Sequence, residues 1–221
     1  MTGSILMADA HNLPDSLFQK LRNIEIATLG HFIENGFCNT ELKPLNPDMR
    51  AIGYAKTVRL HDADAVAINR AILRLDKNDI LVIDMGGNDQ HACIGAVTRA
   101  AIASTGAAAV VVNGLVTDLD DLASPLGYSP PLPVFAIGAT GRTTKILNSN
   151  TEIHGKSVQV AGVEICEGDI VLGDRNGILA ASAETLREVV PLAQESDERE
   201  PQVLQAIASG QPLSEILDCG E

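Results

Sequence analysis

The residues best placed to do chemistry gather in two short stretches, "DMGGNDQHACIGAVTR" over 84–99 and "NGLVTDLDDL" over 113–122. Asp84, Asp89 and Asp118 bring carboxylates, Asn113 and Thr117 bring neutral polar groups, and Gly86, Gly87 and Gly95 let a ligand come close to the main chain. A carboxylate set among backbone amides suits a hard divalent cation. Free N–H groups at a helix mouth suit a small anion, because the dipole there favours negative charge. Each group also has a plainer reading. Asp118 before "LDDL" can be a helix N-cap, Asp84 a turn former at a strand end, and "MGG" a tight turn. "GGNDQHACIG" is neither a G-x-G-x-x-G fingerprint nor a P-loop.

The elements that must position these residues alternate between strand and helix. Leu17, Leu21, Ile24, Ala27 and Leu29 predict a helix within 15–35, stopped by Gly36. After the loop 42–49, "AIGYAKTVRL" (51–60) reads as a strand and "DAVAINRAIL" (64–73) as a helix. Then follow "DILVIDMGG" (79–87) as a strand, "CIGAVTRAAIASTG" (93–106) as a helix and "AAAVVVNG" (107–114) as a strand that breaks at Asn113-Gly114. "TDLDDLAS" (117–124) gives a short helix and "PVFAIG" (133–138) another strand. This alternation implies parallel pairing, and the apolar runs suit strands buried on both faces. Ligands of such sheets bind outside the carboxyl ends of the strands, where both polar stretches fall. The amides of Gly95, Ala96 and Val97 there form a seat for a carboxylate or phosphate.

Residues 156–182 change texture, with Ala161-Gly162, Glu167-Gly168-Asp169 and Asn176-Gly177 as turn signals of an antiparallel unit. Residues 183–200 predict a helix with Pro191 as a kink point, and 200–217 a last helix or two. The prediction is one α/β domain over residues 1–182 and a C-terminal helical tail over 183–221 that packs between subunits.

Composition narrows the classes of function. Hydrophobic residues make up 45% and charged residues 20% of the 221, the balance of a globular protein. A net charge of −13 argues against direct nucleic-acid binding, which needs a basic surface, and leaves docking of a basic protein open. Met1–Ala10 is too short and mixed for a signal peptide, and no apolar run approaches the roughly 18 residues of a membrane span. A cytoplasmic protein is expected. Cys38, Cys93, Cys166 and Cys219 are far apart without a C-x-x-C, and His11, His31, His61, His91 and His154 form no H-x-x-x-H pair. A zinc site is not expected.

Read in order, "DILVIDMGG", "GAVTRAAIASTGAAAVVVNGLVTDLDDL", "LPVFAIGATGRTTK" and "VAGVEICEGDIVLGDRNGILA" resemble the family of the regulators of ribonuclease activity A and the 4-hydroxy-4-methyl-2-oxoglutarate aldolases. The resemblance implies a swivelling β/β/α layered fold and a homotrimer, often paired into a hexamer, with sites between subunits. For the aldolase branch it implies Mg²⁺ or Mn²⁺ holding the enolate of pyruvate, released from a small 4-hydroxy-2-oxo acid or from oxaloacetate.

The branch's motif is an acid after a glycine, then Arg-Asp twenty residues on. Here the positions read Gly95-Ala96 and Thr117-Asp118. The resemblance thus makes Asp118 the metal ligand, while the arginine and the second acid are replaced. Candidate stand-ins are Arg99 on the same helix face, Arg142 and Lys145 in "GATGRTTK", and Glu200, which reaches a neighbouring subunit's site. Asp174 in "GDRNG" resembles a structural turn of the family. Three functions follow: a metal-dependent lyase acting on a small anionic oxo acid, a non-catalytic ring that binds a protein partner, and an enzyme of altered substrate.

Overall fold

The computed structural model describes residues 15–123 and 132–217. The sequence readings of Met1–Ala10, His11 and Cys219 lie outside them. The chain begins with α1 (Asp15–Leu21), α2 (Ile26–Leu29) and β1 (Lys43–Pro44). Next come β2 (Ala51–Arg59), α3 (Ala65–Ile72), β3 (Asp79–Asp84), β4 (Ala92–Ile94), α4 (Ala96–Ser104), β5 (Ala109–Val116), α5 (Leu119–Ala123) and β6 (Val134–Ala139). The remainder is β7 (Ile153–His154), β8 (Val158–Val160), β9 (Val163–Ile165), β10 (Ile170–Asp174), β11 (Gly177–Ala181), α6 (Ala183–Ala208) and α7 (Leu213–Ile216).

The main sheet runs β1-β6-β5-β3-β2-β10-β11. Its centre is parallel, β2 with β3, β3 with β5 and β5 with β6, and its flanks are antiparallel. The segment 36–44 draws the two edges together. Cys38 N–H donates to Ile178 O at 2.9 Å beside β11, and Lys43 and Pro44 then pair with β6. The result is a nearly closed α/β barrel-like sheet.

Strand alternation sorts the core into layers. Leu81, Ile83, Val110 and Val112 face α3, α4 and α5, whereas Ile80, Val82, Ala109 and Val111 face the β8–β9 hairpin. A third cluster joins α1, α2 and the first half of α6 to β10 and β11. This is the layered β/β/α arrangement with a C-terminal helix, and every residue of β3 is buried, as an apolar run between two layers requires.

Four local expectations are corrected. The helix predicted within 15–35 is two helices, because the Asp174 carboxylate accepts from Ile26 N–H at 3.2 Å and starts α2 anew. The helix predicted over 93–106 opens at Ala96, since Ala92–Ile94 is drawn into the sheet beside β5. β5 does not break at Asn113-Gly114: a register shift against β6 between Val112 and Leu115 makes this pair a bulge, and the strand runs on to Val116. A side chain at Gly114 would meet Met85 at 2.5 Å, so the bulge needs glycine. Finally, α6 continues through Pro191 and Pro201 to Ala208.

Candidate functional site

The bulged end of β5 aims Thr117 and Asp118 at the mouth of α4. Thr117 N–H donates to Ile94 O at 2.9 Å, which lays the end of β5 beside the turn that opens α4. Asp118 then takes φ 55°, a left-handed conformation that aspartate tolerates better than most residues. Its carbonyl accepts from Leu122 N–H at 3.0 Å, so its backbone does open α5. Its carboxylate points elsewhere. Oδ2 accepts from Ala96 N–H at 2.9 Å, and Oδ1 accepts from the Thr117 hydroxyl at 3.3 Å. Asp118 therefore caps α4, a helix distant in sequence, and not the helix that follows it.

Gly95 is fixed by space and not by dihedral angle. Its φ of −135° and ψ of −170° are open to any residue, but a Cβ would stand 2.6 Å from Asp118 Oδ2 and 2.9 Å from Thr117 Cγ2. The Thr98 hydroxyl, a participant absent from the sequence reading, accepts from Gly95 N–H at 2.7 Å. Its signal was a Gly-x-x-Thr spacing at a helix start. The next N–H groups of this turn, of Val97 and Thr98, have no carbonyl one helical turn back to bond. An exposed carboxylate and helical N–H groups thus converge where the parallel strands end.

The other candidates disperse. Arg99 is 3% exposed on α4, and the helix turns it into the protein and not onto the rim. Burial lowers its pKa, opposed by the charge of Asp121 on α5. Asn113 is engaged on the opposite face of the sheet. Its Nδ2 donates to Gln159 O at 2.9 Å, and its Oδ1 accepts from Ala161 N–H at 3.2 Å, holding the left-handed Ala161 at the β8–β9 turn. Arg142 lies on the strap that follows β6, where its guanidinium donates to Gln90 Oε1 at 2.6 Å. Lys145 on the same strap exchanges backbone hydrogen bonds with Ala63 and Ala65. Glu200 lies on α6 in a groove with His31, Phe32 and Leu192. Asp84 accepts from Gly86 N–H at 2.8 Å and sits 3.6 Å from Arg59 Nε, the turn-forming alternative. Asp174 bonds Ile26 and Asn176 N–H groups.

Among the described residues no three His, Cys, Asp or Glu side chains gather to cage a metal. At the mouth of α4, Asp118 offers an exposed, oriented carboxylate. That donor fits a hard cation such as Mg²⁺, which is commonly held by one or two carboxylates with the remaining positions left to water and ligand oxygens. It does not fit a soft, fully protein-ligated metal.

A nearly closed sheet with a parallel centre, layered between helices and a β-hairpin and bearing an aspartate at a helix mouth, defines a swivelling β/β/α protein. The chain belongs to the RraA-like family, whose model, described as Aldolase/RraA, matches residues 12–180. It is 29% identical over 199 residues to an uncharacterized protein of Methanocaldococcus jannaschii, spanning 86% of this chain and 92% of that one. It is 30% identical over 140 residues to a Halalkalibacterium halodurans protein named "Putative 4-hydroxy-4-methyl-2-oxoglutarate aldolase". That match spans 62% of each, less than two thirds of the relative's length. The crystal structure of Streptomyces coelicolor RraAS2, described as an unusual member of the RNase ES inhibitor RraA protein family, aligns with a TM-score of 0.71 at 20% identity. The alignment covers 86% of this chain and 96% of that one, and it establishes the fold alone. Among the described residues no helix is long and apolar enough to cross a membrane.

Proposed function

We propose that the protein is a divalent-metal-dependent lyase of small 2-oxo acids, cleaving a 4-hydroxy-2-oxo acid to pyruvate or decarboxylating oxaloacetate. The observation that carries this reading is the Asp118 carboxylate, oriented by Ala96 N–H and the Thr117 hydroxyl over a helix mouth kept open by Gly95. Asp118 would hold Mg²⁺ or Mn²⁺, which when bound supplies Lewis acidity for charge developing on the ketone oxygen. Of the amides of Gly95, Ala96 and Val97 expected to seat the substrate carboxylate, the first two already donate to Thr98 and Asp118, so that Val97, joined by Thr98, is left to bind it. Thr117 fixes the carboxylate of Asp118 and, unlike an arginine, brings no positive charge to the ligand. The geometry therefore supports a weaker catalyst than the full motif would give.

The same replacement favours a second reading, a ring that binds a protein without catalysis. Both readings include assembly as a homotrimer or hexamer in the cytoplasm; of the tail from 183 onward, the first half of α6 packs on its own subunit and the remainder is the intersubunit arm. Exposed Leu192, Leu204 and Ile207 on α6 support that role. The deciding measurement is pyruvate release from a panel of 4-hydroxy-2-oxo acids and oxaloacetate with Mg²⁺ or Mn²⁺. Turnover above the metal-only rate that Asp118→Ala abolishes is the expected result; no turnover above that rate across the panel leaves the binding ring.

A further inference from the structure

Two peptide planes meet at Gly95, and each is held at both ends. In the first, Ile94 O accepts from Thr117 N–H at 2.9 Å, and Gly95 N–H donates to the Thr98 hydroxyl at 2.7 Å. In the second, Gly95 O accepts from the Thr98 hydroxyl and from Arg99 N–H, both at 2.9 Å. The other end of that plane is Ala96 N–H, which donates to Asp118 Oδ2 at 2.9 Å. A peptide unit is planar, so the direction of its carbonyl fixes the direction of its N–H. Thr98 touches both planes, and through the second it aims the N–H that holds Asp118.

The restraint falls where the chain most needs one. Contact with Asp118 and Thr117 excludes a side chain at position 95, and glycine has the freest backbone of any residue. The Thr98 hydroxyl opposes that freedom. The second bond on Asp118, from the Thr117 hydroxyl to Oδ1, is longer at 3.3 Å. Ala96 N–H is therefore the firmer hold on the carboxylate. Ser182 makes a comparable cap elsewhere, accepting from Thr185 N–H at 3.1 Å at the turn between β11 and α6.

We propose, with Asp118 as the ligand of the cation as above, that Thr98 is a positioning residue for the metal. Its hydroxyl orients the Gly95–Ala96 peptide, and that peptide sets the Asp118 carboxylate for a divalent cation. Bonds that orient a metal-binding side chain commonly carry about ten- to a hundredfold in metal affinity.

The test is isothermal titration of the intact protein with Mn²⁺, beside a thermal melt of each variant. Thr98→Val removes the hydroxyl at similar volume, and Thr98→Ser keeps it. Mn²⁺ affinity is expected to weaken at least about tenfold in Thr98→Val and to return to within about twofold of wild type in Thr98→Ser. Loss of the cap also lowers the melting temperature of Thr98→Val, so Ser182→Ala, which removes the cap of α6, is the control. It is expected to melt earlier with Mn²⁺ affinity unchanged. Unchanged affinity in Thr98→Val, or an equal loss in Thr98→Ser or in Ser182→Ala, overturns the positioning role and leaves Asp118 standing as the metal ligand. Failure of the wild type to bind Mn²⁺, or binding unaltered in Asp118→Asn, overturns the metal reading and the positioning role with it.

Discussion

Asp64 and Asp118 follow parallel strands at the same end of the sheet, and each stands at the mouth of a helix. Asp64 is 1% exposed and saturated. It accepts from Val66 N–H at 2.9 Å on its own helix α3, and from Leu147 and Ser149 N–H groups on the distant strap at 3.1 and 2.9 Å. Burial pushes its carboxyl up, but these bonds and one from Asn148 outweigh burial and hold it down at about 2. Asp118 is exposed, accepts one backbone N–H and one hydroxyl, and keeps lone pairs facing solvent. Two identical side chains at equivalent places thus differ in what is left over: Asp64 is a staple, and Asp118 can still bind.

The comparison breaks if both carboxylates respond alike to neutralisation. Asp118→Asn keeps an acceptor for Ala96 N–H and a residue type that tolerates positive φ. Turnover is expected to fall at least about hundredfold, with unfolding free energy changed by no more than about 0.5 kcal/mol. Asp64→Asn should do the reverse. A carboxyl lowered from its ordinary 3.8 to about 2 contributes stability on the order of 2 kcal/mol, present above pH 3.8 and lost as pH falls toward 2. Urea unfolding should show a loss of that order near neutral pH, while turnover per folded molecule changes little. A stability loss in Asp118→Asn as large as that in Asp64→Asn would make both residues staples.

A substitution that adds function sharpens the contrast further. Thr117→Arg places a guanidinium beside Asp118, where a charge-assisted hydrogen bond to a keto acid is worth about 1.5–3 kcal/mol. Pyruvate release is expected to rise by about tenfold to a hundredfold, measured as kcat/KM. An unchanged rate would show that the missing arginine is not what limits this site.

Much of the frame was legible because periodicity records burial. The parallel strands follow from unbroken apolar runs, and α3 from the helical pattern of 64–73. Position 118 was legible as polar and well placed, but its partner was not. Whether an aspartate caps the helix after it or a helix opening more than twenty residues earlier depends on a bulge at Asn113-Gly114, and bulges leave little periodic trace. Arg99 shows the same limit. Three residues after Ala96 it counts as a neighbour on the helix surface, yet the packing of α4 buries it toward α5. The long-range bonds of Asp64 to 147 and 149 were equally invisible, since they depend on the path of the strap.

That strap supplies the smallest expected effect and the last test of the comparison. It leaves the site where Thr140 N–H donates to Val116 O, passes the Asp64 staple, and ends at Glu152 and His154. Glu152 pairs with Arg70 of α3 at 2.6 Å and lies 3.6 Å from His154 Nε2. Burial lowers the pKa of His154 below its ordinary 6.5, assisted by the charge of Arg74 and opposed by Glu152 and Glu167. The folded protein therefore takes up this proton less readily than the unfolded chain. The stability that depends on neutral His154 is present above pH 6.5 and lost as pH falls below it. Melting temperature should fall more steeply below pH 6.5 in the wild type than in His154→Gln, with the slopes converging above it. If turnover per folded molecule in wild type and His154→Gln tracks together over the same range, the strap supports the fold as Asp64 does. A divergence in turnover would tie the strap, and with it Asp64, to the site at Asp118.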